Sequence, residues 1–205
     1  VREDYAVELT QKYMKNDALH VCDPIFLCSK DEYIKLADDS KFNTDSEFML
    51  NFLLDPDEEK IKAYHYLMDR LGISKYENFT DLQNVSSKIE TFGSEGVNAE
   101  AEIEDLIAAY KAAKFVVTDS FHGTCLAIIF NKPFISIANF KRGEKRFISL
   151  LNWIGLSNRL VMDMQNIYDK EELLQDVNFD KPNEIIVRSR NEGFGWLKEH
   201  LEKMV

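Results

Sequence analysis

Three short runs of this chain are apolar on nearly every residue rather than on alternate ones: Phe48 to Leu54, Phe115 to Val117 and Phe134 to Ile137. A strand with one wet face alternates, whereas a strand covered on both faces reads as a continuous apolar run. Each of these runs is followed by a segment of helical length and pattern. Strand and helix in repeated alternation give an α/β domain, a Rossmann-like parallel sheet with helices on both faces. In such sheets ligands sit beyond the carboxyl ends of the strands, where each strand hands over to its helix.

The pattern along the chain sets the remaining expectations. Tyr5, Leu9 and Tyr13 recur four residues apart, with Ala6 beside them, and predict an N-terminal helix. HVCDPIFLC, with Pro24 inside it, reads as an edge strand or extended segment. SKDEYIKLA reads as a short helix. DPDEEKIKAYHYLMDRLG reads as a helix capped by Asp55, with Pro56 in its first turn and Gly72 at its end. Strands are expected around Phe79 and from Val85 to Ile89, and a turn at Gly93 to Gly96. Helices are expected at EAEIEDLIAAYKAA, HGTCLAIIFNK, EKRFISLLNWIGL and KEELLQDV. The last helix, NEIIVRSRNEGFGWLKEHLEKM, is expected to break near Gly193 and Gly195. The expected organisation is a linking helix and extended segment over 1–45, a Rossmann-like domain over 46–182, and a C-terminal helix over 183–205.

Charge narrows the function. A net charge of −11 excludes a nucleic-acid binder that relies on a broad basic surface, but leaves room for a local anion pocket. Cys22, Cys28 and Cys125 are odd in number and lack metal-ligand spacing, so buried free thiols in a reducing compartment are expected. Asp55-Pro56-Asp57 followed by two glutamates reads as a helix start rather than a metal site. No phosphate loop is present and no motif calls for a metal or cofactor. The chain opens on Val1 rather than Met, so a fragment of a longer protein is expected.

The chemistry concentrates in Thr118-Asp119-Ser120-Phe121-His122-Gly123-Thr124, a polar knot between two apolar runs. Asp119 or Ser120 can cap the helix that follows. Gly123 can let a ligand approach the backbone, and His122 can donate to an anion or move a proton near neutral pH. A purely structural role, two caps and a satisfied histidine, accounts for the same residues. The segment after the next strand, ANFKRGEKR, carries Lys141, Arg142, Lys145 and Arg146. Cations are unfavourable at a helix start, which argues for a functional reason. Both segments leave the sheet at the same edge, so an anion site is expected there.

The stretch AKFVVTDSFHGTCLAIIFNKPFI, preceded by IEDLIAAYKA, resembles the polysaccharide pyruvyl transferase family. VREDYAVEL is similar to that family's Val-Arg-acid segment, with Glu3 where many members have aspartate, and CDPIFL to its Asp-Pro segment. The resemblance covers most of residues 1–150. It implies a two-domain, glycosyltransferase-B-like fold with this chain as mainly the C-terminal half, the N-terminal domain lying outside it. It implies phosphoenolpyruvate as donor, a glycan or lipid-linked saccharide diol as acceptor, and a pyruvate ketal as product. It also implies a cytoplasmic location near the inner face of the membrane. His122 matches the donor-site histidine and Arg2 the arginine of the Val-Arg-acid segment. Arg142, with Lys141 beside it, falls where the family has a basic residue. Ser120, Gly123 and Thr124 are expected to add donors to phosphoenolpyruvate, and Asp119 to cap the helix or orient His122. One departure stands out: many members carry arginine where this chain has Ser120. A nucleotide-sugar glycosyltransferase of the same plan, and a non-catalytic assembly domain in glycan synthesis, are the alternative functions.

Overall fold

The computed structural model describes residues 1–42, 46–83, 85–93 and 96–202. Five parallel strands, β1 (Met49–Phe52), β2 (Tyr76–Phe79), β3 (Phe115–Thr118), β4 (Phe134–Ile137) and β5 (Leu160–Val161), form one sheet in the order 2-1-3-4-5. The chain steps outward from β1 to β2, returns across β1 to β3, and then steps the other way to β4 and β5. The direction therefore reverses between β1 and β3, which places a crevice at their carboxyl ends.

The register explains why β1, β3 and β4 carry apolar residues on both faces. Leu50, Val116 and Phe134 stand in one row and pack on one face; their neighbours Val117 and Ile135 pack on the other. On the first face lie α2 (Lys30–Asp38), α5 (Ile103–Ala112), α6 (Phe121–Ile129) and α7 (Lys145–Ile154). On the second lie α3 (Glu58–Leu71), Phe92 of α4 (Val85–Phe92) and Ile167 of α8 (Asn166–Asp169). The long α9 (Asp180–Glu202) packs against α7, and its Arg190 donates through Nε to the Phe26 carbonyl at 2.7 Å.

Several expectations are corrected. Val85 to Ile89 is not a strand but the first part of α4. Its buried positions, Lys88 and Phe92, are four residues apart, a helical spacing. Pro24–Phe26 is a single 3₁₀ turn, not a strand, because the Asp23 carboxylate takes the Ile25 amide at 3.0 Å and Pro24 has no amide to offer a neighbour. Asp57, not Asp55, caps α3 by accepting the Lys60 amide at 2.9 Å. The helix does end at Gly72, whose φ of 65° suits glycine. α9 runs through Gly193 and Gly195 without a break. The N-terminal helix, α1 (Tyr5–Leu9), continues as a π-turn over Thr10–Met14 that Lys15 ends at φ 56°. Its Tyr5, Leu9 and Tyr13 are exposed rather than packed. Cys22 and Cys125 are buried free thiols, but Cys28 is exposed. Of the expected turn at Gly93 to Gly96, residues 94 and 95 lie outside those described, as do 43–45 beside the expected boundary at 45/46. Among the described residues no helix is long and apolar enough to cross a membrane.

Candidate anion site at the head of the sixth helix

The polar knot divides its work. Thr118, at the end of β3, donates through Oγ1 to the Phe52 carbonyl at 2.7 Å and accepts the Ser120 amide at 3.1 Å. Asp119 is buried and accepts from the amides of Leu54 (2.6 Å) and Asp55 (3.1 Å) and from Lys60 Nζ (2.9 Å). Asn139, in the segment after β4, donates to it at 3.4 Å. One carboxylate thus ties the carboxyl ends of β1, β3 and β4 together. It neither caps α6 nor touches His122 through any hydrogen bond in the described residues.

Ser120 is the cap: its Oγ accepts the Gly123 amide at 3.1 Å. Thr124 donates to the Ser120 carbonyl at 3.1 Å and shares a 2.7 Å hydrogen bond with Ser136. Gly123 makes room for the protein itself. A Cβ there would lie 2.4 Å from Thr118 Oγ1 and 2.7 Å from the Tyr110 hydroxyl. Three residues expected to face a ligand are therefore turned inward, because α6 packs its small and hydroxyl-bearing face onto β3 and β4. Gly123→Ala should destabilise the fold by about 1–3 kcal/mol through overpacking, readable as a lowered urea midpoint; an unchanged midpoint would contradict this packing account.

His122 points the other way, with 55% of its side chain exposed. Its Nε2 lies 3.9 Å from Asp23 Oδ1, and Asp23 Oδ2 in turn accepts from Arg2 Nη1 at 2.8 Å. The Phe121 ring holds the group together. It lies edge-on to His122 and carries the Arg2 guanidinium 5.5 Å and the Arg146 guanidinium 5.2 Å from its centre. Arg2 also pairs with Glu3 at 2.9 Å. Arg146 donates to the Arg142 carbonyl at 2.6 Å, and among the described residues no carboxylate pairs with it. Partial burial pushes the His122 pKa below the ordinary histidine value; Asp23 pulls it up, while Arg2 and Arg146 push it further down. Two arginines and a histidine thus meet at the start of a nine-residue helix whose Gly123 and Thr124 amides are taken by Ser120. That arrangement can hold a small anion with the histidine close enough to exchange a proton with it.

The structure separates this group from Arg142. The Arg142 guanidinium is clamped by Asp55 (Nε to Oδ2, 2.7 Å) and Asp81 (3.1 Å), and Asn139 donates to the same Asp55 oxygen at 2.6 Å. Lys141 lines a cavity beside Asp55. The basic segment after β4 therefore serves two places, and the cation it sends to His122 is Arg146. Sequence spacing alone did not single out Arg146 among four cations. Its place in the first turn of α7, one helical turn from the loop, was the available signal.

The Arg142 guanidinium, with help from Asn139, holds the Asp55 carboxyl down to about 2, from an ordinary 3.8. A lowered carboxylate value stabilises the fold above the unfolded value and loses that contribution as pH falls through the folded one. Asp55 should thus contribute about 2 kcal/mol that disappears between roughly pH 4 and pH 2. The stability of Asp55→Asn should depend less on pH than that of the parent in this window, and parallel slopes would contradict the clamp.

No curated protein matches the sequence. The chain is similar in structure to the wall teichoic acid polymerase TagF, at 12% identity and a TM-score of 0.46 for one variant and 14% and 0.40 for a second structure. It is covered over 100% and 98% of its length in these matches, and spans 58% of either TagF chain. The model of the polysaccharide pyruvyl transferase family matches residues 1–141. That stretch holds Arg2, Asp23, the knot and His122, and on it the chain belongs to the polysaccharide pyruvyl transferase family.

Proposed function

We propose that the cluster around Phe121 binds phosphoenolpyruvate, and that this chain is the donor-binding half of a two-domain enzyme that transfers pyruvate to a saccharide diol. The observation that carries this reading is the convergence of Arg2, His122 and Arg146 on one aromatic ring at the head of α6. Phosphoenolpyruvate is anionic at both ends, and two guanidiniums gathered at one ring suit a ligand of that kind. Arg146 takes over the charge that Ser120 does not supply.

The chemistry assigns His122 a proton. Transfer begins when the methylene carbon of the enol is protonated, which leaves the adjacent carbon open to a sugar hydroxyl. That hydroxyl adds and loses its proton, the C–O bond to phosphate breaks, and the second hydroxyl closes the ketal. One proton is consumed at carbon and two leave the hydroxyls, so the balance goes out on phosphate. A histidine whose pKa is depressed in the free chain is largely neutral near pH 7. A bound dianion raises it, so the donor itself loads the acid. Asp23, 3.9 Å away, would steady the imidazolium.

Calorimetric titration of this chain with phosphoenolpyruvate, with uridine diphosphate and inorganic phosphate as controls, tests the reading. The expected result is selective binding of phosphoenolpyruvate, weakened about tenfold or more, roughly 1.4 kcal/mol, by His122→Ala. Preference for uridine diphosphate would favour a nucleotide-sugar glycosyltransferase instead.

A further inference from the structure

The buried face of α7 carries one polar residue among its apolar ones. Phe147, Leu150, Leu151 and Ile154 pack into the core, and Ser149, 3% exposed, is enclosed with them. A buried hydroxyl costs stability unless it is hydrogen-bonded. Ser149 finds its partner far away in the chain: its Oγ accepts the Asp4 amide at 3.1 Å. The same hydroxyl holds the Asp4 carboxyl below its ordinary value, so the contact runs both ways. Asp4 closes the short segment that carries Arg2. The rest of that segment is tied to residues 19–23. The Val1 carbonyl accepts the Val21 amide at 2.9 Å, His20 Nε2 lies 3.3 Å from the Arg2 carbonyl, and Asp23 accepts from the Arg2 guanidinium at 2.8 Å. Among the described residues, the bond to Ser149 is the hydrogen bond that joins this segment to α7.

The same helix carries Arg146. Arg146 and Ser149 are three residues apart, close to one helical turn, and so share a face. One side chain reaches the Phe121 ring, and the other grips the segment that brings Arg2 to that ring. We infer that Ser149 is a positioning residue: it fixes Arg2 relative to Arg146, so that the two guanidiniums are spaced for an anion charged at both ends. The inference rests on the proposed donor site, and Ser149 acts there through Arg2. A one-ended anion such as inorganic phosphate needs no such spacing, which separates positioning from general support of the fold. The Lys145 ammonium, 5.9 Å from the centre of the Tyr5 ring, also links α1 to α7, but at the exposed surface and beyond the Arg2 segment.

Ser149→Ala tests this with and without a ligand. By calorimetry, phosphoenolpyruvate affinity should fall about fivefold, as for one lost hydrogen bond, while affinity for inorganic phosphate stays within about twofold. In an Arg2→Ala chain the same substitution should cost nothing further, because its effect passes through Arg2. By NMR of the free chain, the Arg2 Nε–H resonance should shift as its place against the Phe121 ring changes, and that of Arg146 should hold. Unchanged phosphoenolpyruvate affinity, equal losses for phosphoenolpyruvate and phosphate, or the same loss in the Arg2→Ala chain would make Ser149 a packing residue and overturn the inference. An unmoved Arg2 resonance would overturn it as well. If the parent chain ignores phosphoenolpyruvate and the Arg2 resonance still shifts alone in Ser149→Ala, the donor reading falls and the positioning of Arg2 stands.

Discussion

Asp119→Ala is expected to destabilise the fold by about 3–5 kcal/mol, because it removes one partner of a buried ion pair and strands the other. The side chain is fully enclosed and paired with Lys60, itself only 11% exposed. It also satisfies the amides of Leu54 and Asp55, which leave β1 toward α3. Without it these donors are buried without acceptors, and the carboxyl ends of β1 and β3 lose their shared anchor. Urea denaturation should show a midpoint lower by about 1–2 M. Asp119→Asn returns one acceptor oxygen but sets an N–H₂ group against donors, and should fall between the alanine variant and the parent. A loss below about 1 kcal/mol for alanine would mean that the node is solvated and that the edge of the sheet is held by packing alone.

Arg146→Ala is expected to weaken phosphoenolpyruvate binding about thirtyfold to a hundredfold, about 2–3 kcal/mol, the range for a hydrogen bond to a charged group in a partly buried site. Arg146 donates only to a backbone carbonyl among the described residues, so its removal should leave stability nearly unchanged. Arg142→Ala should do the reverse. Its guanidinium is already held by Asp55 and Asp81, so its loss should lower stability and change donor affinity by no more than about twofold. The crossed comparison, affinity by calorimetry and stability by urea, separates the two arginines. Affinity lost with Arg142 and kept without Arg146 would move the donor to the Asp55 side of the node.

The contrast between these arginines shows what the sequence could and could not convey. The parallel sheet was legible because Leu50, Val116 and Phe134 face one layer while Val117 and Ile135 face the other, so the central strands carry apolar residues on both faces. β5 was not: two residues, Leu160 and Val161, carry no period, and only pairing with β4 makes them a strand. α4 was misread because its one buried polar position, Lys88, looks like a break in a strand until Asp81 is placed beside it. In the site, the exposed placement of His122 was readable from its position at the head of α6. The inward turn of Ser120, Gly123 and Thr124 was not. It depends on Tyr110 and Ser136, which come from other elements. Arg142 and Arg146 are one helical turn apart and chemically alike, and only the carboxylates of Asp55 and Asp81, both more than 60 positions upstream in the chain, tell them apart.

His122 is expected to take up a proton when phosphoenolpyruvate binds. The imidazole resonance of His122, followed by NMR across pH 5–8, about the ordinary histidine value, with and without phosphoenolpyruvate, reads that proton. In the free chain the midpoint should lie below the ordinary value, as burial and the two arginines dictate. With phosphoenolpyruvate bound the midpoint should rise, and donor affinity should therefore weaken as pH climbs through it. A His122 midpoint that stays in place while phosphoenolpyruvate binds would contradict the account, since the donor would then be held without reaching the histidine.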